Sequence, residues 1–262
     1  MRILFVGDVN GKTGRRMVAA RLPLLRRERG VDLCVVNGEN AAGGFGITGE
    51  MADELFRAGA DVITSGNHIW NRKETADLLL HEPRLLRPSN YPPGAPGKGM
   101  FVAPTPHGPA AVINLMGRVF MPPVECPFRE ADRLLGELPP EVRIVLVDIH
   151  AEATSEKVAL GWHLDGRVSA VLGTHTHVQT ADERVLPKGT AYLSDAGMTG
   201  PADSVIGIKT SIAVRKFLTG VPVRLEAADG PAQLNGALIE VEPSSGRATS
   251  IERIIFREAG QG

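Results

Sequence analysis

Short apolar runs closed by Gly, Asn, Asp or His alternate with stretches of helical spacing through the first two thirds of the chain. Residues 3–6 read as a buried strand ended by Gly7-Asp8, and GDVNGKTGRR then leads into a helix through Leu25. Residues 31–36 predict a second strand, ended by Asn37-Gly38-Glu39-Asn40, and residues 47–58 have helical periodicity. A third strand over 61–64 delivers Ser65-Gly66-Asn67-His68, and a helix follows over about 72–80. This βαβαβ alternation predicts a mostly parallel sheet with helices on its faces.

The texture changes over 83–109, where RPSNYPPGAPGKG is rich in Pro and Gly. Such a stretch predicts a surface arm, which is either a plain linker or a cover for substrate or a subunit contact. Strands are expected again over 110–115, 142–147 and 168–172, with helices over 129–138 and 155–163 between them. The intervening MGRVFMPPVECPF is irregular. Short β segments are expected over 190–193, 211–217, 223–226, 235–241 and 250–256, the last two forming a hairpin around PSSGRA. No repeat, long charge run or domain linker interrupts the chain, so residues 1–262 read as one α/β domain.

Composition narrows the classes. With 262 residues, 43% hydrophobic and 23% charged, the chain has the balance of a globular protein with a substantial core. A formal net charge of -1 gives no general attraction to nucleic acid or membrane, so a phosphate-bearing ligand needs a local site. Cys34 and Cys126 are too few for a disulfide framework, and Cys34 lies in the apolar run DLCVV as an inert buried thiol. The apolar N-terminal run before Gly7 is too short for a signal peptide, and no segment reaches the length of a membrane span, so a cytoplasmic location is expected. GDVNGKTG lacks the GxxxxGK[ST] spacing of a phosphate loop, which makes a P-loop NTPase a poor reading.

The chemistry-bearing residues sit after the predicted strands. Asp8, Glu39-Asn40, Asn67-His68, His150 and His175-Thr176-His177 each follow one. Carboxyl ends of parallel strands converge on one sheet edge, where ligands bind. These side chains exceed what one zinc ion needs, and oxygen and imidazole donors without thiolate suit a dinuclear iron, manganese or zinc centre.

GD at 7–8, NGEN at 37–40, GNH at 66–68, His150 and GTHTH at 173–177 resemble the ordered motifs of calcineurin-like metallophosphoesterases. HAEATSEKVALGWHLDGRVSAVLGTHTHVQTADE, with NLMGRVFMPPVECPF and SDAGMTGP, is more specific and resembles the bacterial YmdB-like branch. That branch is described as phosphodiesterases acting on 2′,3′-cyclic nucleotides, and the similarity runs from Arg2 to about Phe256. The resemblance implies two mixed β-sheets flanked by helices, with two metals at the strand ends. Asp8 and His177, supplemented by Asn40, would bind the first metal, and Asn67, His150 and His175 the second. Glu39 would bridge them and His68 would be the proton donor.

Two departures from the superfamily pattern matter. The usual DxH is Asp8-Val9-Asn10, so one histidine ligand is missing, and the oxygen-richer first site favours iron or manganese over zinc. The usual acidic residue after GNH is Ile69, which leaves unstated what orients His68. The expected reaction is metal-assisted hydroxide attack on a small phosphodiester or cyclic nucleotide, leaving a 3′-phosphate; that regiochemistry comes from the resemblance alone. The competing readings are a phosphomonoesterase or nucleotidase on the same fold, and a metal-stabilised regulatory protein that binds RNA or a partner enzyme. The near-neutral charge and 5% aromatic content argue against an RNA surface. No stable nucleic-acid binding is expected, and the residues leave homo-oligomers open.

Overall fold

The computed structural model describes residues 1–258. The first half builds β1 (Arg2–Val6), β2 (Asp8–Val9), α1 (Gly11–Arg29), β3 (Leu33–Asn37), α2 (Gly49–Arg57), β4 (Val62–Thr64) and α3 (Thr75–His81). There follow β5 (Met100–Thr105), β6 (Gly108–Met116), α4 (Pro127–Glu137), β7 (Ile144–His150), α5 (Thr154–Leu164) and β8 (Ala170–Thr174). The last third carries β9 (Arg184–Val185), β10 (Ala191–Leu193), β11 (Met198–Pro201), α6 (Thr210–Thr219), β12 (Ala232–Val241) and β13 (Ala248–Arg257).

The strands form two mixed sheets. The 7-stranded sheet runs β2-β11-β12-β1-β3-β4, with β13 also paired to β12, and the 6-stranded sheet runs β5-β6-β7-β8-β10-β9. Within the first, β1, β3 and β4 are parallel; within the second, β6, β7, β8 and β10 are parallel.

Alternation along each strand makes the layers. Ile3 and Phe5 of β1, Val35 of β3 and Val62 of β4 face Val112, Leu146, Leu172 and Leu193 of the other sheet. Leu4 and Val6 point the opposite way, onto Met17, Val18 and Leu22 of α1 and Leu55 of α2. On the far side, Ile113, Val147 and Val171 pack on Leu134 of α4 and Leu160 and Leu164 of α5. Central strands buried on both faces need apolar residues at every position, which explains the unbroken runs in the sequence. Each fully buried Val, Leu or Phe contributes about 1.5–3 kcal/mol. Cys34 is one of these core residues, and burial pushes its thiol pKa up, as an inert thiol requires.

Several expectations are corrected. Part of the 83–109 arm is strand β5, which pairs antiparallel with β6. The irregular part is tied down by Arg87, whose guanidinium donates to the carbonyls of Pro88, Ser89, Ala95 and Pro96. The segment expected as a strand over 211–217 is helix α6, ended by Gly220 in the left-handed region (φ 64) with its N–H on the Lys216 carbonyl. The segment over 223–226 forms no strand. The short strands β2, β9 and β11 carry too few residues for any period to register. Among the described residues, no helix is long and apolar enough to cross a membrane.

Candidate active site

The carboxyl ends of β1, β3, β4, β7 and β8 bring every residue singled out from the sequence into one connected cluster. Asn40 lies between two histidines, with Nδ2 2.9 Å from His177 Nε2 and Oδ1 3.0 Å from His68 Nδ1. Glu39 Oε1 accepts from the His68 backbone N–H at 3.0 Å and lies 3.2 Å from His150 Nε2. That same His150 nitrogen is 3.1 Å from Asn67 Oδ1 and 3.0 Å from His175 Nδ1. Asp8 closes the set: Oδ2 accepts from the His175 N–H at 3.2 Å, and Oδ1 is 3.9 Å from His177 Nε2. Gly66 makes this packing possible, since a Cβ there would stand 2.0 Å from Glu39 Oε2 and 2.1 Å from His150 Cδ2.

His68 is oriented from across the cleft. With Ile69 buried in the core, the imidazole sets Nδ1 against Asn40 Oδ1 and, at 3.1 Å, Glu39 Oε1. Both are acceptors, so Nδ1 carries the donated proton and Nε2 is left for other partners. Phe45 stands edge-on to the ring, centroids 5.0 Å apart at 78°.

The cluster is short of positive charge. Asp8 and Glu39 are both fully buried. Burial pushes the Asp8 carboxyl up, against the pull of His177 and His150. Burial also opposes ionisation of Glu39, but His150 and His68 outweigh it and hold that carboxyl well below its usual range. Burial works against a charge on His150 too; nearby Glu39 and Asp8 override it and push the pKa up to about 9. His175 goes the other way, down to about 3, through burial and the adjacent His150.

A supporting layer fixes the ligand-type residues, and sequence reasoning did not find it. Buried Asp148 accepts from Thr64 Oγ1 at 2.5 Å, Thr174 Oγ1 at 2.7 Å and Asn37 Nδ2 at 3.0 Å. Because the Thr174 hydroxyl proton goes to Asp148, its oxygen accepts from His150 Nδ1 at 2.9 Å. That chain fixes the orientation of the His150 ring and turns Nε2 toward the cluster. Burial raises the Asp148 pKa to about 6, even though these three donors lower it. On the other side, the buried Lys157 Nζ lies 2.7 Å from Asp195 Oδ2, which also accepts from the N–H and Oγ1 of Thr176. This anchor sits between His175 (φ 100) and His177 (φ 66), both held in the left-handed region. His177 Nδ1 in turn donates to the Ile206 carbonyl at 2.9 Å. Asp148 stood in plain sight two residues before His150; Lys157 and Asp195 lie in the stretches that carry the family resemblance, but their pairing could not be read, since only the fold brings them together.

Thr174→Val tests the supporting chain. It leaves a buried imidazole N–H and a carboxylate oxygen unpaired, at an expected cost of about 1–3 kcal/mol in urea unfolding. Metal affinity measured by calorimetric titration should fall roughly 10–100-fold. A variant with wild-type affinity would show that Thr174 does not set the orientation of His150.

The donors suit cations. Asp8 Oδ1, Glu39 Oε2 and Asn10 Oδ1 are buried oxygens with no hydrogen-bond partner among the described residues, a costly condition that a cation relieves. Carboxylate, amide and imidazole donors without thiolate are the chemistry of hard and borderline metals. Among the described residues, no three His, Cys, Asp or Glu side chains are already arranged around a common point, because they close on one another through the hydrogen bonds above. Asn40 Oδ1 and Asn67 Oδ1 add amide oxygens to the carboxylate and imidazole donors.

Two face-to-face mixed sheets with helices outside, and an oxygen- and imidazole-lined cluster at the parallel strand ends, define the class as an α/β/β/α sandwich protein with a polar cluster at one edge. Within that class, the chain belongs to the YmdB-like protein family, whose model matches residues 4–254. It is 48% identical over 258 residues, covering 98% of both chains, to the 2′,3′-cyclic-nucleotide 2′-phosphodiesterase of Bacillus subtilis (strain 168). Among solved structures, a hypothetical protein from Thermus thermophilus superposes with a TM-score of 0.93 at 46% identity, covering 99% of this chain and 100% of that one. A novel phosphatase from Mycoplasma pneumoniae superposes at 0.94 with 35% identity, covering 100% and 95%.

Proposed function

We propose that this phosphoesterase is a dinuclear-metal phosphodiesterase that opens 2′,3′-cyclic nucleotides to 3′-phosphates, working as a single domain in the cytoplasm. The observation that carries the reading is the cluster itself. Unpartnered oxygens of Asp8 and Glu39 lie among three histidines and two asparagines, with His68 on the cleft side. The activity in the name of the Bacillus subtilis relative fits that chemistry.

Asp8, His177 and Asn40 would hold one ion, and Asn67, His150 and His175 the other, with Glu39 shared between them. Bound ions supply an acidified water near neutral pH and charge to offset the phosphoryl oxygens. The chain supplies the rest. Buried carboxylates and the Asp148–Thr174 chain fix where the donors point, so little reorganisation accompanies the reaction. His68 acts in its doubly protonated form: Nδ1–H stays on Asn40 and Glu39, and the Nε2 proton passes to the departing 2′ oxygen, which as an alkoxide leaves poorly.

Two measurements test this. Elemental analysis of protein made without added metal should give more than one equivalent of iron or manganese per chain, as the oxygen-rich donor set favours these over zinc. One tightly held zinc with full activity would sink the dinuclear reading. Phosphorus NMR of 2′,3′-cyclic AMP turnover should show the 3′-phosphate accumulating; accumulation of the 2′ isomer, or none of either, would overturn the assigned reaction.

A further inference from the structure

The cleft that contains His68, His175 and His177 has an apolar wall that metal binding and proton delivery do not use. Phe45, Ile206, Ile208 and Leu225 bound it, within a cavity of about 290 Å³. They come from three separate stretches: the loop after β3, the turn after β11 and the segment before β12. A cavity of this size sits at the lower end of small-molecule sites and suits one nucleotide rather than a polymer.

Both principal side chains are fixed in place. Arg72 holds the Phe45 loop by donating Nε to the Phe45 carbonyl at 3.0 Å and Nη2 to the Ala42 carbonyl. The Phe45 ring is further oriented by its edge-on contact with His68. Ile206 lies in a tight turn closed by reciprocal Val205 and Ile208 backbone hydrogen bonds of 2.9 and 3.0 Å. There it adopts φ 48, a conformation that β-branched residues rarely take. Gly or Asn would fill that position without strain. The isoleucine nonetheless keeps 51% of its surface exposed, while its carbonyl holds His177. A strained backbone that presents an apolar side chain at a cleft is a feature to be explained by function.

We infer that Phe45 and Ile206 form a nucleobase subsite, in which the face of the base packs on the Phe45 ring and the Ile206 side chain beside the phosphoryl position. The inference rests on the phosphodiesterase reading above and adds the part of the substrate that reading leaves unassigned. Base faces are apolar and polarisable whatever the base, so such a wall selects nucleoside cyclic phosphates over cyclic phosphates that carry no base.

The test compares wild type, Phe45→Ala, Phe45→Trp and Ile206→Gly, all metal-loaded, on 2′,3′-cyclic AMP and on glycerol 1,2-cyclic phosphate. Ile206→Gly removes the side chain while suiting the positive φ, so the turn and its bond to His177 survive. The ratio of kcat/KM for the two substrates should fall roughly tenfold or more in Phe45→Ala and Ile206→Gly, and should be kept in Phe45→Trp. Calorimetric binding of 3′-AMP against glycerol 3-phosphate should move in parallel. Ratios that stay at the wild-type value in both truncating variants overturn the subsite. Should wild type turn over no cyclic nucleotide, the phosphodiesterase reading fails, and the calorimetric ratio alone then decides for or against the base subsite.

Discussion

His68→Ala is expected to lower kcat on a 2′,3′-cyclic nucleotide by on the order of 10²–10⁴ with both metals retained. The same variant should lose far less on bis(p-nitrophenyl) phosphate. The difference lies in the leaving group. A ribose alkoxide needs a proton as it departs, whereas a nitrophenolate is already a stable anion at neutral pH. The geometry fits the role, because Asn40 and Glu39 hold Nδ1 and leave Nε2 for the substrate. Metal content must be measured alongside, since Asn40 and Glu39 are also assigned to the ions. Equal losses on both substrates with full metal content would assign His68 to phosphate positioning and the proton to another group.

Glu39→Gln should abolish most turnover and weaken at least one metal site while the circular dichroism spectrum stays unchanged. The amide keeps the shape of the side chain, and Oε1 can still accept the His68 N–H. It cannot carry the charge that two cations share, and it loses the attraction to His150 across 3.2 Å. Removing one partner of a buried, paired charge costs about 3–5 kcal/mol, here distributed between metal affinity and local stability. Wild-type activity with wild-type metal content would rule out Glu39 as the bridge.

How much of this was legible in the sequence follows from where the information sits. The parallel strands and their polar ends could be read because each apolar run is closed within a few residues by its own functional group, as in Val35-Val36-Asn37-Gly38-Glu39. Helix α6 could not: Ile212 and Val214 suggested a strand, yet of the helix's residues only Ala213 is buried, so little apolar period exists to reveal it. The supporting layer was hidden for another reason. Lys157 reads as an ordinary helix-surface cation until the fold places it against Asp195, 38 residues away. The partner of His68 was missed because an acidic residue was sought beside it in sequence, while Asn40 stands across the cleft from the neighbouring strand.

The pairing of the first strand with β12 fixes an order of events during synthesis. β1 is made before every other element described above, yet one of its two neighbours is a strand that begins at Ala232, and Met1 itself donates to the Val241 carbonyl at 2.9 Å. Asp8, likewise, is framed by β11 at Met198. Closing loops of this length is slow compared with local helix formation. The first sheet therefore cannot finish until β12 has left the ribosome, and the edge that carries the clustered side chains stays open at Asp8 until β11 arrives beside it.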